Sequence, residues 1–455
     1  MIPAINASKV YSILGNNDSL VPLAMKDIAN SMGLTAGSYI TGDSVEGKDR
    51  FIDEFGTQAI WLFGIPVYKK ALDLTLFKSL GYDAKVDARL LKNPEILKKA
   101  QEFAPTQAIK NSIANVAKNQ KAYKGLTIAK FVASTLLTMG TYFGLTKFRH
   151  KYTEDQIKKD YFEKNIVNKE KFNFTSSVPF SSAFNEVHQQ KNKSKQPSFT
   201  GGWQEFMFNP VKNLMIVDAT ISGERLAHAR NKQDFVGYAV KEGSFWAFMY
   251  FAGKKIQSAL ENSAETKHNK SIDLDARVIE SDELKEVFAN KSILKDLQDF
   301  PIKGSDAEIY EFINKNPDNF VVQMAKKSDI ITTMESNDGW FNKLMKKLNL
   351  PHKVIADKDA IDTRRFIDIA DVKGVATKLE KLHNQFESSG ETLETFLKGV
   401  KKLKRSAIRT NIGSCIAALG VVAPTIMVAL RLLDKDNKEF QTKKDIEAKL
   451  AAAQN

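Results

Sequence analysis

The chain repeats a pattern of residues at fixed spacing, and this repeat predicts an internal duplication. Residues 61–70 read WLFGIPVYKK and residues 246–255 read WAFMYFAGKK, so that four of ten positions are identical. Further along, VDAR at 86–89 is answered by LDAR at 274–277. Each copy then carries a long apolar segment flanked by lysines and arginines. Three features in the same order favour two related modules, and repeats shape a whole fold; the alternative is a coincidence among Lys- and Phe-rich helices.

Composition favours long helices over a turn-rich β fold. The 455 residues are 43% hydrophobic, which is typical of a globular chain, and they include only 12 prolines and 24 glycines. Because turns need these two residue types, their scarcity predicts an all-α protein. The expected fold is therefore two duplicated helical modules with long apolar helices, associated with a membrane, plus a soluble helical insert in the second module.

The predicted organisation follows from shifts in composition along the chain. The second module diverges from the first after LDAR, where it carries the insert. Its clearest local signal is a capping box, SDAE, that opens a helix at Ser305. The predicted segments are an N-terminal arm (1–19), a first helical module (20–150) with its apolar segment (131–146), a linker (151–205), the first part of the second module (206–298), the insert (299–390), the end of the second module (391–434) with its apolar segment (410–430), and a polar tail (435–455).

The two long apolar segments carry the membrane prediction. Lys130 and Lys147 bracket 16 uncharged residues, which make a marginal span. Arg409 and Arg431 bracket 21 uncharged residues, which is long enough to cross a bilayer core, and Arg405 adds to the basic flank. The uncharged run before Lys69 is only 14 residues and suits a core or interfacial helix. A large soluble protein with four buried apolar helices is the alternative.

Small residues in the long segments predict close helix packing. Gly140 and Gly144 form GxxxG in the first segment, and Gly413, Ala417 and Gly420 form a similar stripe in the second. Small residues one turn apart let two helix backbones approach closely in lipid. The two segments are therefore expected partners, although small residues are also common in apolar helices in general. An excess of basic residues before the second segment places residues 398–409 on the cytoplasmic side, whereas the flanks of the first segment are balanced and do not orient it. If only the long segments span, the two copies lie in opposite orientations, as in inverted repeats.

Motifs that carry chemistry are weak in this chain. Residues 42–48 fit GxxxxGK, but Asp49 stands where a phosphate loop needs Ser or Thr, so we expect a polar turn. Asp87 and Asp275 are expected to cap the helices that follow them, with Arg89 and Arg277 paired to nearby carboxylates. The six histidines show no metal-ligand spacing, and Cys415 is the single cysteine. No catalytic, cofactor or metal site is predicted.

The predicted function is a non-enzymatic membrane-associated scaffold or interaction protein. A net charge of +13 suits a lipid bilayer or an anionic membrane surface as partner, although a lysine-rich genome would give the same counts. A protein partner or homo-oligomer is also compatible, whereas nucleic acid is disfavoured because acidic residues dilute the basic runs. The first alternative is a small transporter or channel-like protein, which needs polar residues along its path, and the long segments offer only Thr, Ser and Asn411.

The second alternative is a soluble basic all-α protein that binds nucleic acid or protein partners. Such a protein would be cytoplasmic, because the N-terminal residues lack the basic region and apolar core of a secretory signal peptide. A membrane location remains the main expectation, since internal spans need no such signal.

Overall fold

A computed structural model describes residues 7–17, 19–166, 210–334, 359–433 and 440–453. The protein is nearly all helical, with 82% helix and no strand among the described residues, which confirms the all-α prediction. In chain order the helices are α1 (Ala7–Gly15), α2 (Leu20–Thr41), α3 (Ser44–Ala59), α4 (Ile65–Leu72), α5 (Pro94–Glu102), α6 (Gln107–Lys118), α7 (Gln120–Ile166), α8 (Pro210–Ala227), α9 (Lys232–Trp246), α10 (Gly253–His268), α11 (Ala276–Ile279), α12 (Asp282–Ala289), α13 (Ser292–Asp299), α14 (Asp306–Lys315), α15 (Phe320–Lys327), α16 (Ile369–Ser389), α17 (Leu393–Ala417), α18 (Ala423–Leu433) and α19 (Gln441–Ala452).

Short π-helical turns join several of these helices end to end. They connect α3 to α4 (Ile60–Gly64), α9 to α10 (Ala247–Ala252) and α17 to α18 (Ala418–Val422), and a fourth extends α4 (Asp73–Phe77). Pro66 and Pro424 each follow such a turn by two residues. Because proline lacks the N–H of a helical hydrogen bond and its ring clashes with the preceding turn, a wider turn accommodates it within a continuous helix.

Six helical stretches form a closed ring. Their order around the ring is α2, α3–α4, α7, α8, α9–α10 and α17–α18, and the last packs back against α2. The closest approach joins α2 to the turn before α18, where a β-carbon on Gly33 would stand 2.2 Å from the carbonyl oxygen of Gly420. A substitution of Gly33 would therefore force these two helices apart.

The helices of the ring run in fixed directions. Val45 at the start of α3 clusters with Ile157 near the end of α7, and Arg431 at the end of α18 pairs with Glu46. These contacts define one end of the ring, called the Val45 end. Helices α2, α7, α8 and α17–α18 run toward it and α3–α4 and α9–α10 run away from it. The two long apolar helices are thus parallel, whereas an inverted repeat in which only these helices span would place them antiparallel.

A second body of helices lies at the other end of the ring, called the Leu20 end. One hydrophobic core there combines residues of the first module, such as Ile96, with residues of the predicted insert, such as Ile309. The Lys99 amine lies 2.7 Å from a Glu311 carboxylate oxygen, so the surface of this body is also tied across the two regions. The helices of the predicted insert therefore share a core with the first module; the domain boundaries stay a prediction.

Several local predictions can be compared directly with the structure. The capping box at Ser305 is present, with Glu308 completing it. Of Gly42 to Lys48, only Gly42 and Asp43 connect two helices, because Asp43 caps α3 by accepting from the backbone of Val45 and Glu46, and the helix begins at Ser44. The predicted N-terminal arm contains α1, which packs against α11 and α17. The part of the predicted linker after residue 166 and residues 335–358 of the predicted insert lie outside the described residues.

Candidate functional site: a buried charged network

The interior of the ring contains charged side chains, and Arg225 of α8 lies at their centre. Its Nη1 donates to Glu242 Oε1 at 2.8 Å, and its Nη2 donates to Asp53 Oδ1 at 3.2 Å and to Thr57 Oγ1 at 3.0 Å. The side chains of Arg225 and Asp53 are 5% and 2% exposed. Charges this deeply buried are stable only when they are paired, because desolvation penalises each of them strongly.

One arm of the network extends toward the Val45 end. Arg149 of α7 donates from Nη1 to the Tyr238 hydroxyl at 3.0 Å and lies 2.8 Å from Asp53 Oδ2. Asp49 of α3 accepts from Thr153 Oγ1 at 2.6 Å and from Arg230 Nη2 at 2.9 Å. This arm therefore ties α7 and the segment after α8 to the first half of α3.

The other arm extends toward the middle of the ring. Lys241 Nζ of α9 lies 2.7 Å from Glu54 Oε2, and Glu242 accepts from Ser222 Oγ at 2.5 Å. Nearby, the Tyr250 hydroxyl donates to the buried carboxylate of Asp218 on α8. The residues of this arm come from both halves of the chain, so the network joins α3 and α7 of the first half to α8 and α9 of the second.

The space inside this arm is small. Asp27 of α2, Glu54, Trp61, Asp218 and Lys241 are among the residues that line a cavity of about 20 Å³. A cavity of this size has room for roughly one water molecule, whose centre needs about 10–15 Å³. The arrangement can therefore hold helices in register, but it has no room for a substrate in this conformation.

The helix-packing candidates lie in two different environments. Gly420 packs against Ala29 of α2, where a β-carbon would meet the Ala29 carbonyl oxygen at 3.1 Å. Gly140, Gly144 and Gly413 face open space, since no heavy atom outside their own surroundings lies within 4 Å of a β-carbon position. Ala417 is also exposed. The expected contact between the two small-residue stripes is not formed among the described residues; α2 takes the place of a partner for Gly420.

The membrane-flanking basic residues also differ from one another. Lys130 pairs with Asp73, and Arg431 pairs with Glu46 at the Val45 end, whereas Lys147 is exposed. Arg405 and Arg409 lie at the Leu20 end. Arg405 Nη2 is 2.7 Å from Glu280 Oε2, and Arg409 donates to the Tyr11 hydroxyl.

The two predicted Asp caps form as expected, and a third copy of the motif accompanies them. Asp87 accepts from the Arg89 backbone at 2.9 Å, and Asp275 accepts from the Arg277 backbone at 2.7 Å. The Asp362 side chain accepts from the Arg364 backbone at 3.1 Å in the same way. The signal, IDTR at 361–364, is visible in the sequence. The sequence does not show that this third copy contacts the first. The backbone N–H of Asp87 donates to the Arg364 carbonyl oxygen at 2.8 Å, although the two residues are 277 positions apart.

Sequence reasoning missed the charged network itself. Glu46, Asp49, Arg50, Asp53 and Glu54 recur every three or four residues in α3, which is the period of one helix face. That spacing indicates a charged stripe, but a solvated stripe and a buried one have the same pattern. Lys241 and Glu242 were visible only as an interruption of an apolar run.

Comparisons with known proteins identify no relative. No family model, no curated protein and no solved structure matches the chain. The function therefore has to be inferred from the geometry alone.

Proposed function

We propose that the protein is a non-enzymatic, membrane-associated scaffold whose helical ring contacts lipid through its outer surface. The observation that carries this proposal is the distribution of exposed large apolar side chains. Apart from Leu80 and Leu294, all of those among the described residues lie on the ring helices. A soluble surface scatters such residues singly, whereas a continuous apolar surface is typical of an interaction with lipid or protein. This outer surface of the ring is called the apolar belt.

The apolar belt extends over long stretches of the ring helices. On α2 it runs from Val21 to Ile40, and on α7 from Ile128 to Phe148. At 1.5 Å per residue these stretches are about 29 and 30 Å long, so each offers several helical turns of apolar surface to lipid. By length and composition, two helices could also cross a membrane, Gln120–Glu163 and Leu393–Leu433, and less than a third of each apolar window is buried.

We also propose that the ring consists of two duplicated three-helix units. The order α2, α3–α4, α7 is followed by α8, α9–α10, α17–α18, with the same directions in both halves. Trp61 lies within the π-helical turn of the first unit, and Trp246 directly precedes the corresponding turn of the second. The matching Asp caps that follow, at Asp87 and Asp275, support the same correspondence.

The direction of the helices restricts how such a ring enters a membrane. Helix α7 ends at Ile166, beyond Ile157, at the Val45 end of the ring. Helix α8 begins away from that end, near Leu23 and Ile65, and reaches the Val45 end only at its C-terminus. The chain between them, residues 167–209, must therefore return from one end of the ring to the other. Its longest uncharged run is 14 residues, 172–185, too short to cross a bilayer. We infer that the ring enters the membrane from one face and that not every ring helix crosses the bilayer.

The transporter alternative receives less support from this geometry. Buried ionisable residues often mark ion or substrate paths in membranes. Here Asp49, Asp53, Glu54 and Glu242 are each paired with a cation, and the cavity beside them holds about one water. Pairing of this kind supports a static role, in which the network holds the two units together.

The experiment is cysteine labelling of carbonate-washed, sealed membrane vesicles of one orientation. In a Cys415→Ala background, Lys48→Cys reports the Val45 end and Lys110→Cys reports the Leu20 end; both lysines are exposed. The protein is expected to stay in the pellet after the wash. An impermeant maleimide is expected to label both sites to the same fraction, relative to labelling after detergent, because one-sided embedding leaves both ends on one side.

Two results would count against the proposal. Release of the wild-type protein by carbonate, or its purification without detergent as a monomer, would replace membrane association with the soluble all-α alternative. Labelling of one site before detergent and of the other only afterwards would show that the ring crosses the bilayer. The Cys415→Ala chain alone is the control for background labelling.

A further inference from the structure

A cluster of positive charge lies at the Leu20 end, on one face of α17. Lys398, Lys401, Lys402, Arg405 and Arg409 follow a spacing of three or four residues, which places them on the same side of the helix. Together with Lys285 of α12, they line an open groove of about 730 Å³. A volume between about 300 and 1,000 Å³ is typical of small-molecule sites, so the groove is large enough for a polar headgroup.

Most of this charge is not neutralised by the protein. Glu394 is the single acidic residue in the groove lining. Among the described residues, Lys285, Lys398, Lys401 and Lys402 make no ion pair. By contrast, Lys404 belongs to the helix's inner face, where its amine donates to the Ile272 carbonyl oxygen at 2.6 Å and burial lowers its pKa. The groove lysines are therefore available to an external anion.

Two arginines at the edge of the groove are held in place. The guanidinium groups of Arg405 and Arg409 each lie 5.4 Å from the centre of the Tyr11 ring, on α1. Glu280 holds Arg405 from the other side. Preorganised cations lose less conformational freedom when an anion binds, so this edge is prepared for binding before the ligand arrives.

The position of the groove relative to the apolar belt identifies the ligand. Thr410 ends the groove and also begins the run of 21 uncharged residues that leads to Arg431. A ligand in the groove therefore has its anionic part among lysines and its remainder beside an apolar helix. Free phosphate matches only the first of these surfaces, whereas a phospholipid matches both.

We infer that this groove binds the headgroup of an anionic phospholipid and fixes the depth at which the ring lies in the membrane. The inference rests on the proposed membrane association and adds a lipid-specific site to it. A cluster of lysines at a membrane surface attracts acidic lipids with an energy that corresponds to about a fivefold gain in partition for each lysine. Increasing salt weakens such attraction, because exposed charges are screened.

The test is flotation of the purified full-length chain with phosphatidylcholine vesicles that contain or lack phosphatidylglycerol. The variant is Lys398→Gln/Lys401→Gln/Lys402→Gln, and the control is Lys110→Gln/Lys295→Gln/Lys303→Gln, which removes the same charge from exposed lysines elsewhere. The wild-type chain and the control are expected to prefer the acidic vesicles. The groove variant is expected to lose about a hundredfold of this preference, while its association with neutral vesicles is unchanged.

The outcomes separate this inference from the proposed function. Equal binding of the wild-type chain and the groove variant to acidic vesicles, with both bound to neutral ones, would overturn the headgroup site and leave membrane association intact. Binding to neither vesicle would overturn both. Inorganic phosphate or duplex DNA, added at constant ionic strength, could also release the protein from acidic vesicles. The groove would then be a general anion site, which also contradicts the inference. Equal thermal midpoints for all three chains verify folding.

Discussion

Replacing Arg225 with methionine is expected to lower the free energy of unfolding by about 3–5 kcal/mol. Methionine has an unbranched side chain of similar length, so the substitution fills the same space but removes the cation that Asp53 and Glu242 share. Both carboxylates then remain buried without that partner, and the free-energy cost of their desolvation on folding is no longer offset. The measurement is chemical denaturation in a mild detergent or in vesicles, followed by helix content.

A matched substitution and a double variant test the cause of this loss. Arg409→Met removes an arginine from an exposed position and is expected to cost about 1 kcal/mol or less, since its main contact is the Tyr11 ring. Adding Glu242→Gln to Arg225→Met removes one of the stranded charges and is expected to restore part of the stability. A loss below about 1 kcal/mol for Arg225→Met, or no coupling with Glu242, would contradict a network that holds the two units together.

Replacing Ile426 with aspartate is expected to lower the ratio of membrane-bound to soluble protein by about a hundredfold. The side chain is 46% exposed on α18, within the apolar belt. Placing a carboxylate in the hydrocarbon region costs about 2.5–3.5 kcal/mol, which corresponds to that factor. Leu419 is not suitable for this test although it lies in the same apolar run, because its side chain is 0% exposed and a charge there would unfold the ring itself.

Leu294→Asp is the matched control for the belt. Leu294 is 43% exposed, close to the value for Ile426, but it lies on α13 outside the ring. Its substitution is expected to leave the carbonate-resistant fraction unchanged. If neither substitution lowered the membrane-bound fraction, or if both lowered it equally, the exposed apolar residues of the ring would have no special relation to lipid.

The sequence allows the helices and their ends to be predicted, because these depend on short-range patterns. The Ser305 capping box and the Asp87 and Asp275 caps form where residue type and spacing indicate. The long helix through residues 410–430 is also present, continuous across a π-helical turn. Each of these features is determined within one or two helical turns.

The arrangement of the ring could not be predicted in this way, because it depends on contacts between distant segments. Arg225 and Asp53 are 172 positions apart, and neither residue indicates the other. The parallel course of α7 and α17–α18 likewise depends on where the chain returns between residues 166 and 210. The basic flanks could not supply this course, since they report local charge and not the path of the connecting chain.

The central claim is that the apolar belt faces lipid, and site-directed spin labelling tests it most directly. Nitroxides are placed in the belt at Met32 of α2 and Ile426 of the neighbouring α18, and outside it at Lys110, in the Cys415→Ala background and in vesicles. The two belt labels are expected to collide frequently with oxygen and rarely with a water-soluble nickel chelate, while the label at Lys110 shows the reverse. Belt labels that are as accessible to nickel as the Lys110 label, or that are shielded from both reagents by protein, would contradict the account.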